Sequence, residues 1–587
     1  MVNLGKFVIA CVFFIVPFTS HAEMSQAQIK DKMIADLDVI QQTFEVNYAP
    51  KEWKKSFADW DLLEQIQLAK VKILEKERIS VKEYQHIVRD FFNSTQDYHV
   101  GVKFFSTEVA ALPFRMTSTH GRYFVAWSLK NHWEPLMDYS LDVGDEVLLF
   151  NNQPIDLVVQ EFKLQEFGNP NSLTDQALAE SEITVRTGYN GNTTPQGTVL
   201  LTVRKKGTEK IETYQLQWAY MPEMVSDNFV TTAKKPKQMA KNRPLGEHPF
   251  FQKDMSTHHF DHQKTSSKLG LKALKKLGNF DQGEEDEADD FLGSKQSVLP
   301  YLGRTTWRSD PKDPIDAYIY MTPSKKRIGY FRIPHYMLGE DEVNNLIDII
   351  SLFQSKTDAL IIDQLNNPGG SMFFMYSIIS MLSDQAMLAP KERMMISSSD
   401  VFFALETIDE LEAIQNDEEA AQVIGKTIGG LPVTYALVQN IISHFKFLIN
   451  EWYDGRVFTQ AEYLYGIDYI QPHPKVRYTK PIIILVNSLD FSCGDFFPAT
   501  LQDNNRATIV GTQTAGAGGY VIGHEFSNLF GVAAFRFTGS IAERINNNPI
   551  ENLGVTPDIW LEMTPNDLEF NYGNYVKELN KIVEKLF

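Results

Sequence analysis

Apolar residues recur at helical spacing from residue 25 to 95, as in Met33, Leu37 and Ile40 and again in Leu62, Leu63 and Ile66. That periodicity predicts a helical N-terminal segment. Near residue 98 the pattern changes, and 99–105 and 123–128 read as strands separated by a turn region with Pro, Thr and Ser. A Gly144-Asp145 turn then leads into the apolar run Val147 to Phe150, followed by the polar turn Asn151-Asn152-Gln153 and apolar Ile155. Residues 199–204 read as a later strand of the same β-rich unit, although a generic hairpin explains the first stretch equally well. Beyond residue 300, strand-like runs at 328–333, 358–363, 481–487, 507–512 and 532–538 alternate with helix-like runs at 341–355, 372–383 and 434–451. Such alternation predicts an α/β domain with a largely parallel sheet covered by helices.

Between these regions, residues 225–300 break the composition. Lys234, Lys235, Lys237, Lys241, Lys264, Lys268, Lys272, Lys275 and Lys276 precede the acidic run from Glu284 to Asp290. Few strong apolar periods occur there, which predicts a mobile surface insertion open to proteolytic nicking. His258, His259 and His262 have a spacing that could hold a metal, but no carboxylate–histidine helix frames them, and a solvated loop is the expectation. No metal or cofactor is expected.

The chain of 587 residues is too long for one core. Its formal charge of −19 argues against nucleic acid as a partner, because such binders carry a basic footprint. Lys6, the apolar run Phe7 to Phe18 and Ser20-His21-Ala22 read as a signal peptide over residues 1–22. The expected mature chain is exported, periplasmic or secreted, with no membrane span. Removing that leader leaves Cys493 as the one remaining cysteine, so an intramolecular disulfide is excluded and a buried thiol is expected.

Candidate chemistry gathers at two strand-to-helix junctions. In Lys480 to Asp503 an apolar β-branched run ends and a helix-like segment begins at Ser492. A nucleophilic hydrolase places its serine at such a junction, where helix N–H groups face the oxygen, but a helix N-cap is also served by serine there. In Asp358 to Ser371 a buried strand runs into Asn367-Pro368-Gly369-Gly370, a turn whose N–H groups suit an oxyanion hole. Cys493 raises a thiol rival, and His524-Glu525 offers one base. His99, in Thr95-Gln96-Asp97-Tyr98-His99, offers another, since histidine titrates near neutrality.

The stretches ALIIDQLNNPGGS and PIIILVNSLDFSCGDFFPATLQDNNRATIVGTQTAG resemble the S41 serine peptidases, the tail-specific or C-terminal processing proteases. The Gly144 to Ile155 stretch resembles a PDZ segment, though the glycine usual after its Asn is missing. The resemblance implies a ClpP/crotonase-like catalytic domain at 301–587, a PDZ-like domain at 106–224 and a helical segment at 23–105 ending in the His99 strand. It also implies protein or peptide substrates. Most members use a Ser/Lys dyad, and here Ala517 stands at the lysine position. QDYHVGVKFFSTE, LDFSCGDFFPA and ENLGVTP are similar to a secreted chlamydial branch of the family that uses Ser, His and Glu instead. By that resemblance Ser492 is the nucleophile, His99 the base and Glu551 the third member, with oxyanion N–H groups from Gly369 or Gly370 and from Cys493. The same likeness implies a self-cleaved inhibitory segment at 225–300 and a homodimer. The alternatives are a non-catalytic peptide-binding protein on this scaffold and an acyl-thioester enzyme of the crotonase type, to which export is ill suited.

Overall fold

The computed structural model describes residues 24–129, 140–167, 172–224, 255–256, 258–277, 291–337 and 339–587. The expected leader, Lys234 to Lys241 and the acidic run lie outside them.

Four helices open the chain: α1 (Gln26–Asn47), α2 (Lys51–Ala58), α3 (Leu62–Glu75) and α4 (Val81–Ser94). Ser25 with Gln28 and Ser80 with Glu83 form capping boxes, and the Asp61 carboxylate caps α3; each satisfies N–H groups a helix start leaves open. The buried face of α1 is Met33, Leu37, Ile40 and Phe44, the spacing that a stripe of period 3.6 requires. This stripe does not close on the N-terminal segment alone. It packs with α3, α4 and strand β1 (Gly101–Phe104) against Phe526, Phe530, Val532, Phe535 and Phe537 from the far end of the chain. Phe92 lies 5.3 Å from Phe535 and Phe44 lies 5.7 Å from Phe537, ring centre to ring centre.

The β-rich unit follows, with β2 (Val109–Ala111), β3 (Phe114–Thr119), β4 (Arg122–Ser128), β5 (Glu146–Phe150), helices α5 (Ile155–Glu166) and α6 (Leu173–Glu182), then β6 (Val185–Thr187), β7 (Thr198–Arg204), β8 (Ile211–Gln217) and β9 (Ala219–Met221). Antiparallel strands run β3-β4-β5-β7-β8, and a second sheet runs β9-β2-β6. The two sequence-predicted strands are direct partners, with Glu146 opposite Arg204. Asn152 takes φ +62°, the left-handed geometry for which glycine is usual after Asn151.

Within 225–300, where the composition predicts a mobile surface insertion, two elements are formed. Met255–Ser256 form strand β10, and His258–Leu277 form helix α7. The apolar signal is short, but Ala273 and Leu274 are buried against Val109, Ala111, Val185 and Ala219, so docking onto the β9-β2-β6 sheet supplies what periodicity lacked.

The last part of the chain holds β11 (Arg304–Arg308), β12 (Ala317–Met321), β13 (Arg327–Arg332), α8 (Glu340–Lys356), β14 (Ala359–Asp363), the short β15 (Gly369–Gly370), α9 (Met372–Ser380), α10 (Tyr435–Tyr453), β16 (Ile482–Val486), α11 (Cys493–Asp503), β17 (Thr508–Gly511), β18 (Val521–Glu525), β19 (Val532–Thr538) and β20 (Ile559–Trp560). Seven strands form one mixed sheet in the order β11-β12-β13-β14-β16-β17-β20, parallel from β13 onward. β14 and β16 are buried throughout, as a sheet covered on both faces demands. One expectation fails here: 532–538 is a strand but not of this sheet. It pairs with β1 and β18, because its phenylalanines are needed to close the N-terminal core.

Phe92 joins α4 to β19. Truncating this fully buried ring, Phe92→Ala, is expected to cost about 3–5 kcal/mol, read as a lower denaturant midpoint of the full chain.

Candidate active site

β14 and β16 are adjacent and parallel, with Ile362 opposite Ile484. Their C-terminal ends therefore open side by side, the position where open α/β sheets carry ligand sites. From β14 comes the Asn367-Pro368-Gly369-Gly370 turn, and from β16 comes the loop to Ser492 at the head of α11.

Ser492 has φ +54° and ψ −116°, a strained conformation for a residue with a side chain, costing on the order of 1–3 kcal/mol. It occupies the N-cap position, yet its hydroxyl makes no capping hydrogen bond. Among the described residues its buried Oγ has no hydrogen-bond partner at all. A cap whose oxygen caps nothing is not explained by the helix. The backbone instead turns this hydroxyl out of the strand-to-helix bend, as a nucleophile requires.

The Gly-Gly turn is held from behind. Asp490 Oδ1 accepts the Asn367 N–H at 2.9 Å, while Oδ2 accepts the Asn487 N–H at 3.0 Å and Gln364 Nε2 at 3.1 Å. One carboxylate thus joins the turn after β14 to the loop after β16. Burial pushes the Asp490 carboxyl well above the usual range, against these hydrogen bonds. Gly370 has φ +145°, and a Cβ there would meet the Tyr336 carbonyl carbon at 2.3 Å, so no other residue fits. The Gly369 N–H donates to Asn367 Oδ1 at 2.9 Å and is spent, which leaves Gly370 and Cys493 of the expected oxyanion donors. Cys493 turns its thiol to the Gly370 carbonyl at 3.3 Å, binding the two donor segments together.

Asp495, one turn into α11, shapes the opposite wall. It accepts from Thr514 Oγ1 at 2.5 Å, the Gly516 N–H at 2.8 Å and the Ala517 N–H at 3.0 Å. The loop that carries Ala517 is therefore tied to α11, the helix that Ser492 heads. Gly518 continues it and donates to Glu551 Oε2 at 3.0 Å; a Cβ on Gly518 would lie 2.5 Å from the Glu551 backbone nitrogen.

His99 enters between α4 and β1. Its backbone N–H donates to Asp97 Oδ1 at 2.9 Å, and Asp97 is fixed in turn by Tyr48 and Thr538 hydroxyls. The neighbouring Tyr98 ring meets Phe491 at 5.6 Å, so the residues beside His99 and Ser492 touch. Gln96, three residues before His99, gives its carbonyl to Asn552 Nδ2 at 2.8 Å, beside Glu551. The structure thus brings the loops of Ser492, His99 and Glu551 around one site, with His99 and Glu551 more than 400 positions apart. Glu551 spends its oxygens on Gly518 and on Lys54 Nζ, the latter at 2.5 Å with both side chains fully buried. Burial and the Asp97 charge raise its carboxyl above the ordinary range, while Lys54 pulls it back.

Two described stretches of the insertion reach this site. Met255 lies opposite Gly370 and Ser256 opposite Gly369, in antiparallel register. Leu292 packs with Phe491 and Ala517, and the Gly293 N–H donates to the Asn366 carbonyl.

Residues 327–561 match the model for peptidase family S41, and residues 108–226 match that for a PDZ domain. An uncharacterised protein of Chlamydia muridarum is 33% identical, over 94% of this chain and 92% of its own length. The chain belongs to peptidase family S41. A Chlamydia pneumoniae protein is 32% identical over 98% of this chain and 93% of its own. A solved structure of mature CPAF complexed with lactacystin superimposes with a TM-score of 0.80, at 30% identity, covering 95% of this chain and 99% of that one. As an S41 member with a PDZ domain, the protein is a peptidase. Among the described residues no helix is long and apolar enough to cross a membrane, and no metal-binding cluster occurs.

The rival base His524 packs its ring 4.8 Å from Phe535 in the N-terminal core, and burial lowers its pKa. His258, His259 and His262 sit in the first turns of α7, with side chains outside the described residues. Residues the sequence reading missed are Asp490, Asp495 and Lys54. The first two flank Ser492 at two before and three after, and a carboxylate in an apolar junction was the available signal. Lys54, in a polar helical stretch, gave none.

Burial raises the Asp495 carboxyl to about 7, whereas in the unfolded chain it titrates near about 4. The native state binds the extra proton between those values, so this stabilisation is full below about pH 4 and is lost as pH rises through about 7. Asp495→Asn is expected to flatten that slope, on the order of a few kcal/mol, in denaturant unfolding measured from about pH 4.5 to 7.5.

Proposed function

We propose that this S41 peptidase is an exported serine endopeptidase, made as a self-processing zymogen, that works through Ser492, His99 and Glu551. The strained Ser492, with its hydroxyl free of any capping bond beside the Gly-Gly turn, carries the reading. His99 takes the proton from Ser492 Oγ as it attacks a substrate carbonyl. The Gly370 and Cys493 N–H groups receive the developing oxyanion, with the N-terminal end of α11 behind it. The imidazolium then protonates the leaving amine, and water, deprotonated by His99, releases the acyl-enzyme. Ala517 cannot accept a proton, and with His524 packed against Phe535 the base is assigned to His99, from outside the S41-matched region.

The zymogen reading rests on β10. An extended segment of the chain itself lies antiparallel on Gly369–Gly370, the edge a substrate strand would use, and Leu292 closes over Phe491. The similar CPAF was solved in a mature form, which is consistent with such processing in a relative. Export is supported by the N-terminal residue pattern, and the homodimer by sequence resemblance.

Turnover of unfolded casein is expected to fall by about 10³-fold or more in Ser492→Ala and His99→Ala, and by about 10²–10⁴-fold in Glu551→Gln, while Cys493→Ala retains most of it. Purified Ser492→Ala protein should stay intact within 225–300 while wild type is cut there. Normal turnover by His99→Ala sinks the mechanism; equal nicking of the serine variant sinks self-processing alone.

A further inference from the structure

Lys54 stands in the turn-rich helical segment far from the S41-matched region, yet its side chain ends inside the site. It is fully buried, and its ammonium has three hydrogen-bond partners: Glu551 Oε1 at 2.5 Å, Asn552 Oδ1 at 2.7 Å and the Gln96 carbonyl at 2.8 Å. An ammonium has three N–H bonds, and all are spent here. Asn552 returns a bond to the same Gln96 carbonyl, and Trp53, beside Lys54, donates to Asn552. The loop leading to His99 and the loop holding Glu551 are therefore clamped by one cation from α2.

We propose that Lys54 is a positioning residue for the reaction: it keeps the buried Glu551 in its ionised, acceptor form and fixes the spacing between the His99 and Glu551 loops. This inference rests on the Ser492, His99 and Glu551 reading. Lys54 and Gly518 each take one lone pair of Glu551, and a carboxylate offers about four acceptor positions, so capacity remains for the His99 ring. The charged and titratable groups around Glu551 are Lys54 from α2, Tyr48 at the end of α1, and Asp97 with His99 in the loop before β1. Of these, Asp97 opposes ionisation of Glu551 and Lys54 favours it. Without the ammonium, burial and Asp97 are opposed by the Gly518 N–H bond alone, and the carboxyl keeps its proton to higher pH. A protonated Glu551 no longer stabilises an imidazolium. Where most members of the family place a lysine at 517 as the base, this chain has Ala517 and uses a lysine of different origin to hold the acid.

The test is the rate at which a fluorophosphonate probe labels Ser492, followed from pH 5 to 10 in full-length protein. Each variant is first processed by bead-bound wild type, which is then removed. Lys54→Met is expected to slow labelling by about 10²-fold at pH 7 and to move the acid limb of the profile up by about one unit or more. In a Glu551→Gln background the same substitution should change the rate by less than about threefold and leave the limb in place. Equal slowing in both backgrounds with an unmoved limb means a merely structural lysine and overturns the proposal, as does an unchanged rate. If Lys54→Met does not fold, Lys54→Gln, which keeps a donor without the charge, is measured in its place: a shifted limb supports the proposal and an unshifted one overturns it. Absence of labelling in wild type would instead defeat the reading on which it rests.

Discussion

The site depends on Asp490. Two neighbouring parallel strands deliver two turns to the same edge of the sheet, but strand pairing ends at Asp363 and Leu485. Beyond that point, the Gly-Gly turn and the Ser492 loop would be free to separate. The Asp490 carboxylate bridges them by accepting from Asn367 on one side and Asn487 on the other, with Gln364 completing the set. In a buried setting each of these bonds is strong, and leaving one unmade would be costly. The relative position of the Ser492 hydroxyl and the Gly-Gly turn, on which the proposed acyl transfer depends, is thereby fixed.

A second constraint explains why the N-terminal helices belong to the enzyme. On the proposed reading, an S41 scaffold with Ala517 takes its base from elsewhere in the chain. His99 and Lys54 come from outside residues 327–561, and they can be placed only if the N-terminal segment is locked to the catalytic part. The shared core of Phe44, Phe91 and Phe92 with Phe535 and Phe537 does that locking, and β1 pairing with β19 sets its register. Burial of aromatic side chains on this scale stabilises the arrangement far more than the single Lys54–Glu551 pair, whose desolvation offsets much of its attraction. Packing holds the segment in place, and the ion pair aligns the last few side chains.

The fold was legible to the extent that local pattern reports it. Buried strands such as 359–363 and 482–486 announce themselves as unbroken apolar runs, and α1 announces itself through Met33, Leu37, Ile40 and Phe44. Strand 532–538 was visible as a strand, but its partner β1 lies more than 400 residues earlier, and no local pattern carries that information. Helix α7 was missed because its burial comes from a sheet supplied by another unit. At the site, Ser492 and Gly369-Gly370 were found from their strand-to-helix junctions, whereas His99 and Glu551 needed a resemblance. Lys54 was out of reach, since a lysine in a polar helix reads as solvated until tertiary contacts bury it.

The insertion turns the same geometry against itself. A glycine pair that must leave one edge open for an extended substrate also offers that edge to any extended segment held nearby. Helix α7 is tied to the β-rich unit by Ala273 and Leu274 in the apolar core, by Arg115 to Ser267 at 2.6 Å and by Asn190 to Ser266 at 3.1 Å. Met255–Ser256, immediately before it, is thereby presented to Gly369–Gly370 at the effective concentration of a tethered ligand. Two residues of strand pairing would be negligible in a free peptide; the docked helix holds them in place. On the proposed zymogen reading, control of access resides in the α7 dock, apart from the Asp490 bridge.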